Sequence, residues 1–425
     1  MNVGVASVTN INSDRAPKGV IQNGIRKPMN SPEVSQMALL GIVMFANESW
    51  TAIGVRQREL ATWLSERWDV LFVDRFNYRR FPLRHWQSYR QLLTSLQSPR
   101  QIKSKLWHWT PPPLFSPGWR KRWVSLVNQM VLKPLLRRAL KNIGMREFIL
   151  FCCGHTDEQF VGSMGEICAL TDVTDEVTGF ANTDPQLAAE IERRLLQKVH
   201  IALTTAVSLY ESKRYLVREC YLVRNGVTPE RFRPALENCL PLPSDIQQIP
   251  PPRIGFVGVI AEWVDTDLLV KVASMRPQWS FVLVGPIKKS VALCDLPPNV
   301  HLLGPKPYDM VPAYLQGIDV AIIPFERTDF ITRYVNPIKL YEYLAAGKPV
   351  VTTPMGDYDG LETFVHIAES PEAFANAIEV AMKETTPSFK EARWRAILDR
   401  SWQARANQVD AILRDHLQRC HGLSL

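Results

Sequence analysis

The sequence predicts an α/β protein built from two doubly wound domains that face each other across a cleft. Two series of short apolar runs alternate with helical patterns, which is the order expected for parallel sheets covered by helices. A proline-rich segment at 238–252 separates the two series. At 425 residues, the chain is long enough for two domains that each bury their own core.

The first series predicts an N-terminal domain over residues 37–237. A buried-strand run comes first, and a helical stretch and a second strand follow it. Strands are predicted at 39–45, 70–74, 148–153, 166–171, 201–205 and 221–223, and helices at 55–67 and 185–197. The preceding stretch, 1–36, is polar and lacks the compact apolar run of a signal peptide, so we expect a disordered leader.

The second series predicts a C-terminal domain over residues 253–387. Its strands are expected at 254–258, 280–284, 300–303, 320–324 and 350–353. Five prolines make 238–252 a semi-rigid linker. Residues 388–425 carry a polar, amphipathic helical pattern. Ligands of such folds lie at the carboxyl ends of the strands, so we expect the site between the domains.

Residues 336–351 predict a short helix followed by a buried strand. Asn336 is a good N-cap residue, and Gly347 suits the C-terminal turn. Lys339 lies in the first turn, where the helix dipole favours an anion, and Glu342 lies on the same face. The pair predicts a nucleotide-diphosphate site with lysine on phosphate and glutamate on ribose. The alternative is a solvated Lys–Glu pair, because such pairs are common on helices.

The same segment resembles the donor-binding motif of GT-B glycosyltransferases, in which a glutamate-bearing helix precedes Ala-Ala-Gly-Lys-Pro-Val-Val. The resemblance covers roughly residues 38–415 and extends to group 1, family 4-like bacterial transferases that build cell-surface polysaccharides. It implies two Rossmann-like domains, with the C-terminal helix packing back on the first. The further matching segments, in chain order, are 224–227, 253–263, 281–286 and 299–325.

The resemblance also implies which residues bind the donor. Lys339 and Glu342 take the diphosphate and the ribose, and Arg333, Asn336 and Gly258 complete the donor side. A glycine at the end of a strand would let backbone approach the phosphates. As alternatives, Arg333 is a solvated loop residue and Gly258 an ordinary turn.

The chain departs from the common family pattern at two places. Many relatives carry an arginine and a lysine after the equivalent of Gly258, where this chain has Ala261-Glu262-Trp263. Many also carry a second glutamate where this chain has Tyr334. Phosphate binding is therefore expected to fall on Lys339, Arg333 and backbone amides.

Two carboxylates are the predicted catalytic residues. Asp172 and Asp175 follow the strand predicted at 166–171, so they are expected to face the cleft. They resemble an Asp-x-x-Asp-Asp stretch of the family, and Asp175 is the first candidate for a general base, with Asp172 second. The alternative is that both acids cap the following helical turn.

Four further residues are expected on the acceptor side. Trp50, Arg56 and Arg58 follow the first strand and resemble a family segment that lines the acceptor. His155 follows the strand at 148–153 and is a weaker candidate. The two arginines are equally compatible with exposed helix positions.

The net charge of +8 has one source, the segment between Arg75 and Arg146. It contains sixteen lysines and arginines, no aspartate or glutamate, and five tryptophans. We call it the acid-free segment. Cations with tryptophans suit an anionic membrane surface. The alternatives are a solvated basic surface with its tryptophans in the core, and single-stranded nucleic acid, which no recognised motif supports. The tryptophans are Trp86, Trp107, Trp109, Trp119 and Trp123.

These observations predict a transferase that moves a sugar from a nucleotide-diphosphate donor, with uridine implied by the family, to a lipid-linked or polysaccharide acceptor. Scattered cysteines and the lack of a long apolar run favour a cytoplasmic protein on the inner face of the membrane. No metal or cofactor is expected, because the proposed partners of the diphosphate are cations and backbone amides. A sugar-nucleotide epimerase and a non-catalytic binding protein are the rival functions, because fold alone does not settle chemistry.

Overall fold

Two parallel β-sheets organise the chain in a computed structural model. The structure describes residues 40–51, 56–79, 86–116, 118, 120–179, 184–288 and 296–423, with side chains for all of these except 86–89. The predicted leader, 1–36, lies outside the described residues.

The first sheet has eight strands in the order β10-β9-β8-β7-β1-β2-β5-β4. All neighbours are parallel except β4 and β5. Its central strand β1 is buried at every residue, as expected for an apolar strand covered on both faces. A separate parallel pair joins β3 to β6. The strands of this half are β1 (Leu40–Phe45), β2 (Asp69–Val73), β3 (Tyr78–Arg79), β4 (Arg100–Lys103), β5 (Leu106–Trp109), β6 (Leu114–Phe115), β7 (Glu147–Cys152), β8 (Cys168–Val173), β9 (Ile201–Thr204) and β10 (Glu219–Leu222).

The second sheet has six parallel strands in the order β13-β12-β11-β14-β15-β16. Its core is continuous with the helices on both faces, which confirms the predicted α/β fold class. Predicted and observed strands agree to within one or two residues, and only β16 was not predicted. The strands are β11 (Arg253–Val257), β12 (Ser280–Val284), β13 (Val300–Gly304), β14 (Val320–Ile323), β15 (Val350–Thr352) and β16 (Val365–Ile367).

Fourteen helices are found in the described part of the chain. They are α1 (Arg56–Leu64), α2 (Trp86–Ser95), α3 (Arg122–Ile143), α4 (Pro185–Lys198), α5 (Val207–Lys213), α6 (Pro229–Leu236), α7 (Ser244–Gln247), α8 (Thr266–Met275), α9 (Val311–Gln316), α10 (Asp329–Tyr334), α11 (Ile338–Ala345), α12 (Pro371–Ala381), α13 (Pro387–Ile397) and α14 (Trp402–His421).

The C-terminal helix α14 returns to the first sheet, as the resemblance implies. Trp402 and Leu413 are buried in the same core as β1 and α1. Arg67 and Trp68, after α1, donate hydrogen bonds to Asp410 of α14. The proline-rich segment does not simply span a gap, because α7 within it packs Ile246 into the core of the second sheet.

The acid-free segment contributes four strands that the sequence did not predict, β3, β4, β5 and β6. Because β4 carries basic residues and lies at the sheet edge, it lacks the apolar pattern of a buried strand. Trp109 on β5 is 2% exposed and donates its indole N–H to Ser95 at 3.1 Å. Trp107 is partly buried on the same strand, so these two tryptophans belong to the core. Trp119 and the side chain of Trp86 lie outside the described residues.

Candidate active site in the cleft between the sheets

A cleft of about 440 Å³ lies between the carboxyl ends of the two sheets. We call it the central cleft. The loop after β1 and the start of α1 form one wall, and α10 and α11 form the other. Its lining includes Asn47, Glu48, Ser49, Arg56, Gln57, Arg58, Thr174, Asp175, Asn225, Trp263, Phe325, Phe330, Asn336 and Lys339.

Lys339 enters the central cleft from the first turn of α11. Its ammonium lies 5.4 Å from the centre of the Phe256 ring and makes no hydrogen bond or ion pair with any described residue. Burial lowers the pKa of Lys339, and the charge of Glu342 opposes this effect only in part. A cation held without a protein partner at a helix start is arranged to receive an anion.

Gly258 makes room for this lysine. Its φ of +149° is rarely adopted by other residues, and a Cβ there would lie 2.1 Å from Cε and 2.5 Å from Nζ of Lys339. The residue therefore does more than form a turn. Any side chain at this position would displace the lysine.

Asn336 does not cap α11, contrary to the prediction. The N-cap position is Pro337, and the helix has no side-chain cap. The Asn336 side chain instead accepts a hydrogen bond from the backbone of Asn225 at 3.1 Å and donates to Tyr341 at 2.9 Å. Its partners come from both halves of the chain, so Asn336 joins the halves and leaves the first-turn N–H groups of α11 uncapped.

Glu342 is buried one turn further along and is not part of the lining of the central cleft. Its carboxylate accepts a hydrogen bond of 2.6 Å from the Tyr308 hydroxyl. Burial raises the pKa of Glu342, and this hydrogen bond opposes the rise. The guanidinium carbons of Arg58 and Arg231 lie 5.8 Å and 4.7 Å from the centre of the Tyr308 ring. Arg58 thus connects the lining of the cleft to the pair that contains Glu342.

Asp172 forms a buried, bidentate ion pair with Arg56. The two hydrogen bonds measure 2.8 Å and 2.7 Å. Arg56 also donates to the carbonyls of Val223 and Arg224 and to the side chain of Asn225. Arg56 is 6% exposed, so the interpretation of it as an exposed helix residue is wrong. Both carboxylate oxygens of Asp172 are engaged by this pair.

Asp175 lies where the central cleft meets a second cavity of about 600 Å³. We call this the N-side cavity. It opens at the carboxyl ends of β1, β7 and β8. The Asp175 carboxylate accepts a hydrogen bond of 3.0 Å from Thr174, and burial raises its pKa. No cation pairs with this carboxylate among the described residues. It is therefore arranged to take a proton from a group bound between the cavities.

Two further titratable groups line the N-side cavity. His155 lines it, and burial lowers the pKa of this histidine. Asp157 also lines it, and burial raises its pKa to about 8. Sequence reasoning missed Asp157, together with Asn47 and Glu48, which line both cavities. Their positions just after strands β7 and β1 were the available signal.

Four predicted site residues lie outside the lining of both cavities: Gly258 and Glu342, described above, and Trp50 and Arg333. Trp50 packs edge-on against Phe72 with ring centres 5.1 Å apart, and its backbone N–H donates to Asp74 at 2.8 Å. Arg333 is exposed on α10.

One group of potential metal ligands is found in the described part of the chain. Glu219, His416 and Cys420 bring their ligand atoms within 4.8 Å of one another. They lie on β10 and α14, outside both cavities. The Glu219 carboxylate is already hydrogen-bonded to Tyr221, Arg419 and His416.

Comparison with known proteins agrees with this fold. Residues 251–384 match the family model described as glycosyl transferases group 1. The teichuronic acid biosynthesis glycosyltransferase TuaH of Bacillus subtilis (strain 168) is 28% identical over 244 residues, which is 52% of this chain and 61% of the relative. The matched region thus spans about three fifths of that relative.

Solved structures share the two-sheet fold over nearly the whole chain. Sucrose-phosphate synthase from Thermosynechococcus elongatus superposes with a TM-score of 0.65 at 13% identity, covering 90% of this chain and all of that one. Anabaena Alr3699/HepE in complex with UDP and glucose gives 0.57 at 14% identity, covering 87% and 98%. Residues 251–384 are therefore similar to group 1 glycosyltransferases, and the chain shares its two-sheet fold with these solved structures.

Proposed function

We propose that the protein transfers a sugar from a nucleoside diphosphate donor to a glycan acceptor in cell-surface polysaccharide synthesis. The observation that carries the proposal is the arrangement of the central cleft. An unpaired lysine at the start of α11 faces it from one side, and the Asp175 carboxylate faces it from the other. The match of residues 251–384 to the group 1 glycosyltransferase model and the similarity to a teichuronic acid biosynthesis glycosyltransferase support this class of reaction.

In this reaction the acceptor oxygen attacks the anomeric carbon of the donor sugar, and the bond from that carbon to the diphosphate breaks. Asp175 takes the proton of the acceptor hydroxyl. Lys339 and the uncapped N–H groups of α11 stabilise the charge on the leaving diphosphate. Cations and amides suffice for this role, so the proposal includes no metal and no cofactor.

Uridine is the proposed base of the donor. Two kinds of structural neighbour support it, the UDP-forming trehalose-phosphate synthases and Alr3699/HepE in complex with UDP. The proposed donor site is formed by Lys339, Gly258 and Glu342, with Glu342 near the ribose. Arg333 would reach the donor only with a different side-chain position.

The proposed acceptor is lipid-linked and presented at the inner face of the cytoplasmic membrane. The N-side cavity, which meets the central cleft at Asp175, offers space for its terminal saccharide. The acid-free segment belongs to the same half of the chain. Its cations suit the anionic headgroups among which such an acceptor lies.

Product analysis with radiolabelled UDP-sugar tests the proposal. A transferase moves label to an added glycan acceptor, whereas an epimerase converts the sugar nucleotide without one. Asp175→Asn should keep donor binding and lose about 10²–10⁴-fold in turnover, because that is what a general base contributes. Asp267→Asn, on an exposed face of α8, is the matched control. Normal transfer by Asp175→Asn would remove Asp175 from the mechanism.

Chelation tests the metal-free part of the proposal. Full transfer in excess EDTA is the expected result. Activity that disappears in EDTA and returns with a divalent cation would contradict it.

A further inference from the structure

Helix α3 has an apolar stripe on its outer face as well as on its inner face. Trp123, Leu126 and Met130 are 65%, 50% and 76% exposed. Their spacing of three and four residues puts them on one side of the helix. The opposite side carries Val124, Asn128, Leu132 and Leu136, all buried. The outer stripe thus remains uncovered among the described residues, and such contiguous apolar surface marks an interaction site.

The rest of this outer face is basic. Arg122, Lys133, Arg137 and Lys141 fall within the same side of the helix as the stripe, by a rotation of 100° per residue. The acid-free segment supplies no local carboxylate to neutralise them. The face therefore presents apolar side chains in its first half and unneutralised cations along its length.

We propose that this outer face of α3 docks the protein on an anionic lipid bilayer. Trp123, Leu126 and Met130 enter the interface between headgroups and acyl chains, and the cations contact lipid phosphates. No described helix is long and apolar enough to cross a membrane, so the contact is peripheral. An indole and two flexible aliphatic chains suit a fluid apolar phase, whereas nucleic acid would need exposed flat rings spaced along a groove.

Hydrogen bonds connect the docking helix to the N-side cavity. Asn128, on the inner face of α3, donates to the Gln159 side chain at 3.1 Å. Gln159 in turn donates to the Tyr78 hydroxyl at 3.0 Å, and Tyr78 lines the cavity. A bilayer on the outer face of α3 would therefore be separated from the cavity by the width of this helix and by the two hydrogen-bonded contacts. This inference rests on the proposed function only in taking that cavity as the acceptor site.

Vesicle sedimentation tests the docking face. The full chain should sediment with phosphatidylglycerol–phosphatidylcholine vesicles and much less with phosphatidylcholine alone, and salt should weaken binding. Trp123→Ser combined with Met130→Ser should lower the partition coefficient about tenfold or more, because two large apolar groups no longer leave water. Phe389→Ser, which is 47% exposed on α13, is the control and should bind as the wild type does.

A second measurement separates docking from a folding defect. Quenching of tryptophan fluorescence by brominated phosphatidylglycerol should be largely lost in Trp123→Phe, which keeps an apolar ring and should still sediment. UDP affinity should stay unchanged in all these variants, so loss of vesicle binding is distinguishable from failure of the donor site.

Three outcomes would overturn the docking proposal. They are equal sedimentation with both vesicle types, undiminished binding of the double variant, and a concentration-dependent wild-type dimer that the double variant lacks. The last would assign the stripe to a second copy of the chain.

Discussion

The two walls of the central cleft each contribute a cation, and the two cations differ in their partners. Arg56 begins α1 on the first wall and has five hydrogen bonds to described residues, two of them to Asp172. Lys339 is in the first turn of α11 on the second wall and has none. Both lie near the carboxyl ends of parallel strands, so their positions alone do not distinguish them.

This difference in partners distinguishes a charge that stabilises the fold from a charge that is available to bind a ligand. Arg56 joins β8 to the chain at 223–225, and its charge is neutralised inside the protein. Lys339 is desolvated without compensation, which is costly unless a ligand supplies the opposite charge. We therefore expect mutation of Arg56 on the first wall to change the free energy of unfolding. Mutation of Lys339 on the second wall should change the affinity for UDP.

The largest expected effect is on the first wall. Arg56→Ala leaves the Asp172 carboxylate buried and unpaired, so the free energy of unfolding should fall by about 3–5 kcal/mol. Asp172→Asn should also lower stability, because it leaves the guanidinium without its counter-charge. Urea unfolding measures both.

Arg193→Ala is the matched control for this prediction. Arg193 makes a similar bidentate pair with Glu190, at 3.0 Å and 2.9 Å, but on an exposed helix face. Its loss should lower the free energy of unfolding far less than Arg56→Ala does, because water screens an exposed ion pair. If Arg56→Ala lowered the free energy of unfolding no more than this control does, Arg56 would not have the structural role that distinguishes the first wall from the second.

On the second wall, Lys339→Ala should weaken UDP binding by about 1.5–3 kcal/mol, the value of a hydrogen bond to a charged group. Its free energy of unfolding should not fall, because the variant loses an unpaired, desolvated charge. Titration calorimetry measures the UDP affinity, and urea unfolding measures the stability. Lys271→Ala, on an exposed part of α8, should change neither. Unchanged UDP affinity would make Lys339 a structural residue.

The pH dependence of UDP affinity also tests whether Lys339 binds the diphosphate. Burial lowers the pKa of Lys339, so the ammonium loses its proton at a lower pH than an exposed lysine does. The protonated form binds phosphate, so affinity should be full below that lowered pKa and decline as pH rises through it. In Lys339→Arg the decline should disappear, because arginine stays charged. An identical decline in this variant would assign the titration to another group.

The smallest expected effect concerns the pair behind the second wall. Tyr308→Phe removes the hydrogen bond to Glu342 and should cost about 1 kcal/mol of stability. If Glu342 also meets the ribose, Glu342→Gln should weaken UDP binding more than Tyr308→Phe does. Equal UDP affinity in both variants and the wild type would leave Glu342 with a structural role only.

The sequence by itself determined the α/β class and most of the strands. Central parallel strands are buried on both faces, so they appear as continuous apolar runs that need no partner to be recognised. The helix after Asn336 was also visible to within one residue, because its pattern is local, although its predicted cap was wrong. The strands β4 and β5 were not visible, since β4 is a basic edge strand that pairs only with β5, and β5 is recognised by its pairing with β2.

Only the tertiary structure decided what each site residue contacts. Asp172 lies in the last two residues of β8 and Asp175 lies two residues after the strand, yet one is paired with Arg56 and the other lies at the meeting point of two cavities. Asn336 left its expected capping position because Asn225, more than a hundred residues away, offers it partners. Pairing, desolvation and cavity shape depend on residues remote in the chain, and local sequence patterns do not contain that information.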